Sequence, residues 1–192
     1  QTISTKEVVV EVEKLLEKFS EIKQGLLSTV KTMDNLEVET LQKLLPIKIL
    51  DTSFRMPFNN CYDTPLTLGV DRLALMAAAV KHYPNRNVLV IDAGSCMTYD
   101  FMDADQNYLG GAISLGVEMR YKSLKTFTSN LPLLQKTIPN QRIGSSTETS
   151  IHSGVVHGIL QEIEGVIKEY QNKYPDLTVI LTGGDTDFLC KQ

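Results

Sequence analysis

The spacing of apolar residues divides the chain into helices and strands in a regular order. Val9, Val12 and Leu16 recur at helical intervals, whereas short uninterrupted apolar runs predict buried strands. The first predicted elements are a helix from Lys6 capped by Ser4 or Thr5, a strand at 25–30, a helix at 36–45 and a strand at 47–50. Helices that alternate with strands are typical of parallel strands joined by crossover helices.

The second part of the chain has a different order of elements. A polar connector at 51–68 precedes an alanine-rich helical stretch from Asp71 to His82. Beyond Pro84 the pattern predicts strands at 88–92, 97–102 and 108–115, helices at 117–127 and 149–171, a strand at 178–182 and a final helix. The short turns between the three successive strands favour an antiparallel meander.

The two parts together predict an α/β chain of two related domains, at 1–86 and 87–192. The second part has the order βββ-α-α-β-α, while the first shows only α-β-α-β. Two such ribonuclease H-like domains facing each other across a cleft are the arrangement of actin-like ATPases, sugar kinases and Hsp70 proteins. On this interpretation the first domain is incomplete in this chain and lacks its initial strands.

Charge and composition exclude several classes of function. The 192 residues carry a formal net charge of −4 with no basic stripe, which argues against a nucleic-acid partner. No apolar run approaches the roughly 20 residues that span a bilayer, so we expect no membrane partner. Cys61, Cys96 and Cys190 are widely separated, which suits a reducing cytosol and disfavours a disulfide framework or a zinc site.

Glycines at the ends of predicted strands indicate a nucleotide site. One apolar strand ends at Asp92 and continues into Gly94 and Ser95, and Gly183 and Gly184 follow the strand at 178–182. Such loops can present backbone N–H groups to phosphate, and a strand-end carboxylate can hold a cation. The alternatives are an Asp92 satisfied by hydrogen bonds alone and a tight strand-to-helix turn at the paired glycines.

Asp71 and Arg72, at the start of the alanine-rich helix, are candidates for acid–base and anion-binding chemistry. Phosphoryl transfer needs a base for the acceptor hydroxyl and positive charge near the phosphate. Asp71 could be that base, or a helix-start carboxylate stabilised by the helix dipole. The planar fork of Arg72 suits a substrate carboxylate or phosphate, although it could also pair with a surface carboxylate.

Taken in order, the motifs of the chain resemble those of type III pantothenate kinases. They are Tyr62-Asp-Thr-Pro with Leu68-Gly-Val-Asp-Arg72, Ile91-Asp-Ala-Gly-Ser-Cys-Met-Thr-Tyr-Asp100, Gly110-Gly-Ala-Ile-Ser-Leu-Gly116, Ile143-Gly-Ser-Ser-Thr147 with Ser153-Gly154, and Leu181-Thr-Gly-Gly184. The resemblance implies ATP-dependent phosphorylation of pantothenate to 4′-phosphopantothenate, the first step of coenzyme A synthesis. It also implies a cytoplasmic homodimer that needs Mg²⁺ and a monovalent cation, K⁺ or NH₄⁺.

The resemblance assigns roles to individual residues. Asp71 matches the proton acceptor, Asp92 matches the ligand of the monovalent cation, and Ser95, where the family usually has Thr, matches an ATP contact. Gly183 and Gly184 would let the nucleotide approach the backbone. The residues that match the pantothenate site are Tyr62, Gly69, Val70, Asp71, Arg72 and Thr147. The apolar face of helix 149–171, with Ile159, Ile163, Val166 and Ile167, offers surface for the core or for a dimer partner.

The chain departs from the family pattern at its beginning and at its end. The family starts with a strand and an Asp-x-Gly-Asn-Thr loop that holds the divalent metal and the ATP phosphates, and nothing here corresponds to it. The family also continues beyond its Thr-Gly-Gly motif with a further helix. We therefore expect a bare sheet edge in the first domain, a divalent site that lies mostly outside this chain, and no turnover by these residues alone.

Two other functions stay open on the sequence. One is a kinase of the same fold that phosphorylates a different small hydroxylated acceptor, because acceptors are set by the site and not by the scaffold. The other is a non-catalytic homologue that acts as a binding or regulatory protein. The presence of the Asp-x-Gly-Asn-Thr loop in the full reading frame would favour an enzyme over the non-catalytic homologue.

Overall fold

The computed structural model describes residues 7–29 and 33–191. Its helices are α1 Val8–Lys18, α2 Asn35–Leu44, α3 Val70–His82, α4 Val117–Thr126, α5 Thr147–Lys173 and α6 Thr186–Leu189, with a short 3₁₀ helix at Pro65–Thr67. Its strands are β1 Gly25–Leu27, β2 Ile47–Ile49, β3 Asn59–Asn60, β4 Val88–Ala93, β5 Cys96–Met102, β6 Asn107–Leu115 and β7 Thr178–Thr182. The predicted order of elements is confirmed, and the proposed cap at Ser4 or Thr5 lies outside the described residues.

The strands form two sheets. β1 and β2 pair in parallel, as the alternation of helices and strands predicts. The other five strands form a mixed sheet in the order β3-β6-β5-β4-β7. Its centre is the predicted antiparallel meander of β4, β5 and β6, and β7 adds in parallel beside β4. This mixed α/β sheet is consistent with an actin-like, ribonuclease H-like kinase fold.

Side-chain alternation along the central strands separates two cores. Leu89 and Ile91 of β4 pack in one core with α4 and α5. Val88 and Val90 pack in the other core with α3. Because successive side chains of a strand point to opposite faces of the sheet, Asp92 lies on the α3 side. The same alternation along β5 puts even-numbered residues on the α3 side, Asp100 among them.

The apolar face of α5 belongs to the core. Ile159 and Ile163 are buried, and Val166 and Ile167 pack against the same cluster. Of the two roles that the sequence leaves open for these residues, core and dimer contact, the structure supports the core. A dimer partner would therefore contact other surface.

The polar connector contains more structure than its sequence indicates. The two residues of β3 pair in parallel with Asn107 and Tyr108 of β6. Such a short strand of two asparagines has no apolar alternation that could reveal it. Since β3 is an edge strand of the five-stranded sheet and α3 packs against that sheet, the segment from 59 to 82 packs with the strands that follow it. The domain limits at 86 and 87 stay a prediction.

Gly111 permits close approach of β6 to β5. A Cβ atom at this position would lie 1.6 Å from the Tyr99 carbonyl oxygen and 2.7 Å from its carbonyl carbon. No rotamer change can relieve a contact with backbone, so a larger residue here must displace the strand.

We expect Gly111→Ala to lower the free energy of unfolding by about 1–3 kcal/mol, the usual cost of overpacking. The matched control is Gly165→Ala, because Gly165 lies within α5 with open space around its Cβ position. Alanine there should raise stability by about 0.5–1 kcal/mol through its better helix propensity. Urea denaturation of both variants measures the difference, and equal effects at the two sites would contradict this account of the β5–β6 contact.

Candidate active site

Asp100 is the centre of a buried polar cluster on the α3 side of the sheet. Its side chain is completely inaccessible to solvent, and the Arg72 side chain is 6% exposed. Arg72 Nε donates a hydrogen bond to Asp100 Oδ1 at 2.9 Å. Tyr108 Oη donates to the same oxygen at 2.6 Å, and Thr98 Oγ1 donates to Oδ2 at 3.0 Å. A carboxylate removed from water is thus fully partnered, as buried charges require.

Charge and burial act together on the groups around Asp100. Burial alone would lower the pKa of Arg72, but the hydrogen bond and charge of Asp100 raise it above its ordinary value. Burial raises the pKa of Tyr108, and the adjacent Asp100 carboxylate raises it further. Arg72 therefore stays ionised across the physiological range, and Tyr108 stays protonated.

One nitrogen of Arg72 retains capacity to bind. Nη2 approaches Asp100 Oδ1 to 2.7 Å, but the contact lacks the alignment of a hydrogen bond. Nη2 is a buried donor with no hydrogen-bond acceptor among the described residues. An arginine with an unused N–H can donate a hydrogen bond to a carboxylate or phosphate oxygen.

Tyr62 covers the Arg72–Asp100 pair. Its ring stacks on Tyr108 with centroids 6.2 Å apart, and the Arg72 guanidinium lies 5.4 Å from the centre of the Tyr62 ring. Gly110 makes room for this ring: it has φ +93°, and a Cβ there would lie 3.0 Å from the Tyr62 side chain. Two residues of the predicted pantothenate site, Tyr62 and Arg72, are therefore in contact.

The first turn of α3 presents Asp71 outward while Arg72 points into the protein. Gly69 precedes the helix at the N-cap position without a side-chain cap, and Val70 is its first residue. Asp71 is exposed, and its Oδ1 accepts a hydrogen bond from the Arg72 backbone N–H at 2.8 Å. A carboxylate at this position is stabilised by the helix dipole and remains open to an incoming group.

Asp92 connects this cluster to the glycine loops. Burial raises the pKa of Asp92, and the charges of Asp71 and Asp100 raise it further. Behind it, Gly183 has φ +98°, and a Cβ there would lie 2.4 Å from Asp92 Oδ1. The negative charges of two other carboxylates therefore reach Asp92 at the end of β4.

The glycine loops border a cavity of about 500 Å³. Ser95 and Gly184 both line it, and a Cβ on Gly184 would meet nothing within 4 Å. The remaining lining residues are Ala93, Gly94, Glu118, Met119, Lys122, Lys136 and Asp185. The cavity lies outside the carboxyl ends of the parallel strands β4 and β7, the place where α/β sheets bind ligands.

Thr147 lies apart from the other predicted pantothenate residues. It begins α5 and lines a groove of about 1140 Å³ between α4 and α5, together with Arg120, Phe127 and Leu131. Tyr62 and Arg72 do not line this groove. The structure thus groups Tyr62, Gly69, Val70, Asp71 and Arg72 around α3 and places Thr147 in a second concave surface.

Comparison with known proteins decides the family. The family model for type III pantothenate kinase matches residues 1–169. The chain belongs to the type III pantothenate kinase family. A type III pantothenate kinase of Christiangramia forsetii is 51% identical over 92% of this chain and 73% of its own length. Another from Flavobacterium johnsoniae is 45% identical over 94% of this chain and 74% of its own length.

A solved structure supports the fold alone. The crystal structure of a Campylobacter jejuni protein, described as a member of the Baf family of transcriptional activators, superposes with a TM-score of 0.56. Its sequence is 23% identical, and the match covers 94% of this chain and 76% of that one.

Within residues 7–29 and 33–191, no helix is long and apolar enough to cross a membrane. In the same ranges no three His, Cys, Asp or Glu side chains form a cluster that could hold a metal ion. The three cysteines are free and exposed.

Sequence reasoning missed the acceptor that holds Arg72. The motif assigned to the type III pantothenate kinases included Asp100, but the partner considered for Arg72 was a surface carboxylate. One signal was available, since Asp100 is a charged residue within the apolar strand Tyr99-Asp-Phe-Met102 and must have a buried partner. Lys136 and Asp185 were also missed, and they are 49 residues apart with no pattern that joins them.

Asp92→Asn should change how stability depends on pH. The folded-state pKa of Asp92 is raised above the ordinary 3.8, so the wild-type protein loses stability as pH rises through that raised value. The variant has no such loss. Its stability relative to wild type should therefore increase as pH rises above the ordinary pKa of 3.8, and it should level once pH exceeds the raised pKa of Asp92. Urea denaturation in tetramethylammonium buffers, which lack K⁺ and NH₄⁺, measures this difference.

The control for that experiment is Asp105→Asn, which removes a carboxylate from an exposed turn residue. A relative stability of Asp92→Asn that is constant with pH, or that falls as pH rises, would contradict the assigned environment of Asp92.

Proposed function

We propose that Asp71, Arg72, Asp92 and the glycine-bordered cavity form the acceptor, cation and nucleotide sites of an ATP-dependent pantothenate kinase. The family supports phosphorylation of pantothenate, the first step of coenzyme A synthesis. The observation that carries the residue assignments is that the charge of exposed Asp71 reaches half-buried Asp92, and that β4, which contains Asp92, leads directly into the Gly94–Ser95 loop that lines the cavity. The two-domain arrangement and the cytoplasmic location implied by the family resemblance are part of this proposal.

Asp71 is assigned as the base that accepts the proton of the pantothenate hydroxyl. It lies in the first turn of α3, where an acidic side chain is compatible with the helix dipole. In phosphoryl transfer the hydroxyl proton leaves as the bond to phosphorus forms, so the base must face the acceptor and not be consumed in a salt bridge. The exposed position of Asp71 meets that requirement.

Arg72 is assigned to anchor the acceptor. Once substrate binding gives access to it, the buried Nη2 donor would form a charge-assisted hydrogen bond to the pantothenate carboxylate. Because Asp100 fixes the guanidinium, little side-chain entropy is lost when the substrate binds. Tyr62, stacked over the pair, would form an apolar wall for the methyl-bearing part of the substrate.

Asp92 is assigned to hold the monovalent cation, K⁺ or NH₄⁺. Its half-buried carboxylate, close to two other negative charges, fits such an ion. When bound, the cation would supply positive charge beside the nucleotide phosphates. The Mg²⁺ that accompanies ATP in this family is not assigned to any residue of this chain.

The homodimer implied by the resemblance would use the groove that contains Thr147. Phe127, which lines this groove, is 84% exposed, and Ile143, which precedes the lining residue Gly144, is 83% exposed. Exposed apolar residues grouped around one concave surface are typical of protein–protein contacts. Association there would complete a pantothenate site to which Thr147 contributes.

For the intact protein we expect Asp71→Asn to lower turnover on pantothenate by roughly 10²–10⁴, the usual contribution of a positioned base. Binding of ATP should be nearly unchanged, because the substitution does not alter the nucleotide cavity. Steady-state kinetics and calorimetric titration with nucleotide measure the two effects, with Asp105→Asn as the control. Near-normal turnover by the Asp71 variant would show that Asp71 is not the base. If the wild-type protein consumes ATP but does not phosphorylate pantothenate, its acceptor is a different compound.

We expect activity to depend on K⁺ or NH₄⁺, and Asp92→Ala to abolish both this dependence and ATP-supported activity. The physical reason is that Asp92 is the carboxylate at the end of β4, next to the Gly94–Ser95 loop assigned to the phosphates. Initial rates in matched potassium, ammonium and sodium buffers test the dependence. Equal rates in sodium-only and potassium buffers would count against the assignment.

A further inference from the structure

A second ion pair, partly buried, lies on the α5 side of the five-stranded sheet, outside the candidate active site. Arg120 of α4 donates a hydrogen bond from Nη2 to Glu162 Oε2 of α5 at 2.5 Å. Tyr99 of β5 donates from Oη to the other oxygen of Glu162 at 2.8 Å. The side chains of Arg120 and Glu162 are 19% and 27% exposed. Both oxygens of the carboxylate are thus partnered, and the pair joins α4, α5 and the sheet.

The groups of this cluster favour an ionised carboxylate. Burial alone would raise the pKa of Glu162, but the hydrogen bonds from Arg120 and Tyr99 and the charge of Arg120 lower it below its ordinary value. Burial and the contact with Glu162 raise the pKa of Tyr99. Glu162 therefore stays charged near neutral pH, and a charged carboxylate holds the guanidinium in one orientation.

The same guanidinium holds the end of β6. Arg120 Nε donates to the Leu115 carbonyl oxygen at 2.9 Å, and Nη2 also donates to Ser114 Oγ at 3.2 Å. Ser114 and Leu115 are the last two residues of β6, and Gly116 follows them as the N-cap of α4. The planar fork of Arg120 therefore contacts the strand end and Glu162 at once, a geometry that the single ammonium group of a lysine does not provide.

Gly116 in turn lies directly against the Gly94–Ser95 loop. A Cβ on Gly116 would be 2.3 Å from the Ser95 carbonyl oxygen and 2.4 Å from the Gly94 carbonyl oxygen. Within the loop, the Gly94 N–H donates to the Cys96 carbonyl oxygen at 3.0 Å. Because close-packed backbone transmits displacement, a shift of Gly116 must move the loop as well.

Different faces of α4 line the two concave surfaces of this domain. The residues of α4 that line the glycine-bordered cavity are Glu118, Met119 and Lys122. Those that line the groove between α4 and α5 are Arg120, Ser123, Leu124 and Phe127. The bond from Arg120 to Glu162 therefore fixes the rotation of α4 and, with it, the cavity wall on the other face.

We propose that Arg120 is a positioning residue for nucleotide binding. It is anchored by Glu162, and through Gly116 it places the Gly94–Ser95 loop for the phosphates. Arg120 itself lines the groove and not the cavity, so it acts without contact with the nucleotide. This inference rests on the proposed nucleotide site and adds to it a determinant that lies outside the cavity.

The test is calorimetric binding of Mg-ADP to the intact protein and its variants. Arg120→Met should raise the dissociation constant by about tenfold, the loss expected when a displaced loop forfeits a hydrogen bond to a charged phosphate. Arg120→Lys keeps the charge but not the planar fork, so its dissociation constant should fall between those of wild type and Arg120→Met. Glu162→Gln removes the charge of the anchor and should also weaken binding. The double variant should bind no more weakly than Arg120→Met, because both substitutions act on one contact.

Two controls separate loop position from stability. Ile163→Val trims the apolar core next to Glu162 and lowers stability without removing a hydrogen bond. Lys125→Gln removes a positive charge from an exposed site in the last turn of α4. Both variants should bind Mg-ADP as wild type does.

The outcomes separate this inference from the proposed function. If wild type does not bind Mg-ADP, the nucleotide site and this inference are both wrong. If wild type binds but Arg120→Met binds equally well, or if Ile163→Val weakens binding as much as Arg120→Met, only the role of Arg120 is wrong. Thermal unfolding of each variant shows whether it folds. If Arg120→Met does not fold, Arg120→Lys and Glu162→Gln decide the test: weaker binding supports the inference, and unchanged binding overturns it.

Discussion

The burial of one negative charge, that of Asp100, constrains the rest of the candidate site. Moving a carboxylate into an apolar interior is very costly unless it is paired and hydrogen-bonded. Here Arg72, Tyr108 and Thr98 supply the partners, and they come from α3, β6 and β5. Removing one partner of such a pair typically costs about 3–5 kcal/mol, although a fully apolar replacement can be neutral. We therefore infer that the cluster mainly specifies position and adds little net stability.

The Asp100 cluster fixes the rotation of α3 about its own axis. With Arg72 turned inward to Asp100, the preceding residue Asp71 must face outward at the helix start. The strand alternation that buries Asp100 also puts Asp92 on the same side of the sheet. A structural ion pair thus sets the orientation of the group assigned to chemistry, and the same negative charge raises the pKa of Asp92.

Local sequence patterns predict much of the fold but less of the candidate site. The meander at 88–115 and the helix from Val70 have strong periodicity or short turns, so their residues predict them well. The contacts of Arg72 with Asp100 and of Lys136 with Asp185 join residues far apart in sequence. No spacing rule brings such residues together, because their proximity follows only from strand pairing and helix packing. The sequence predicts that Gly183 lies in a glycine loop. Only the three-dimensional structure shows that a side chain at this position would have no space beside Asp92.

The pairing of β7 with β4 has a consequence for the order in which the protein folds. The meander needs only neighbouring segments to meet, whereas β4 and β7 pair residues such as Val88 and Thr178 that lie at distant points of the chain. Closing that long loop costs entropy before any contact is gained, so contacts of this kind form slowly. The cavity wall contributed by Gly184 and Asp185 would then be assembled after the sheet centre, and a newly made chain would acquire its compact core before it acquires the ability to bind a nucleotide.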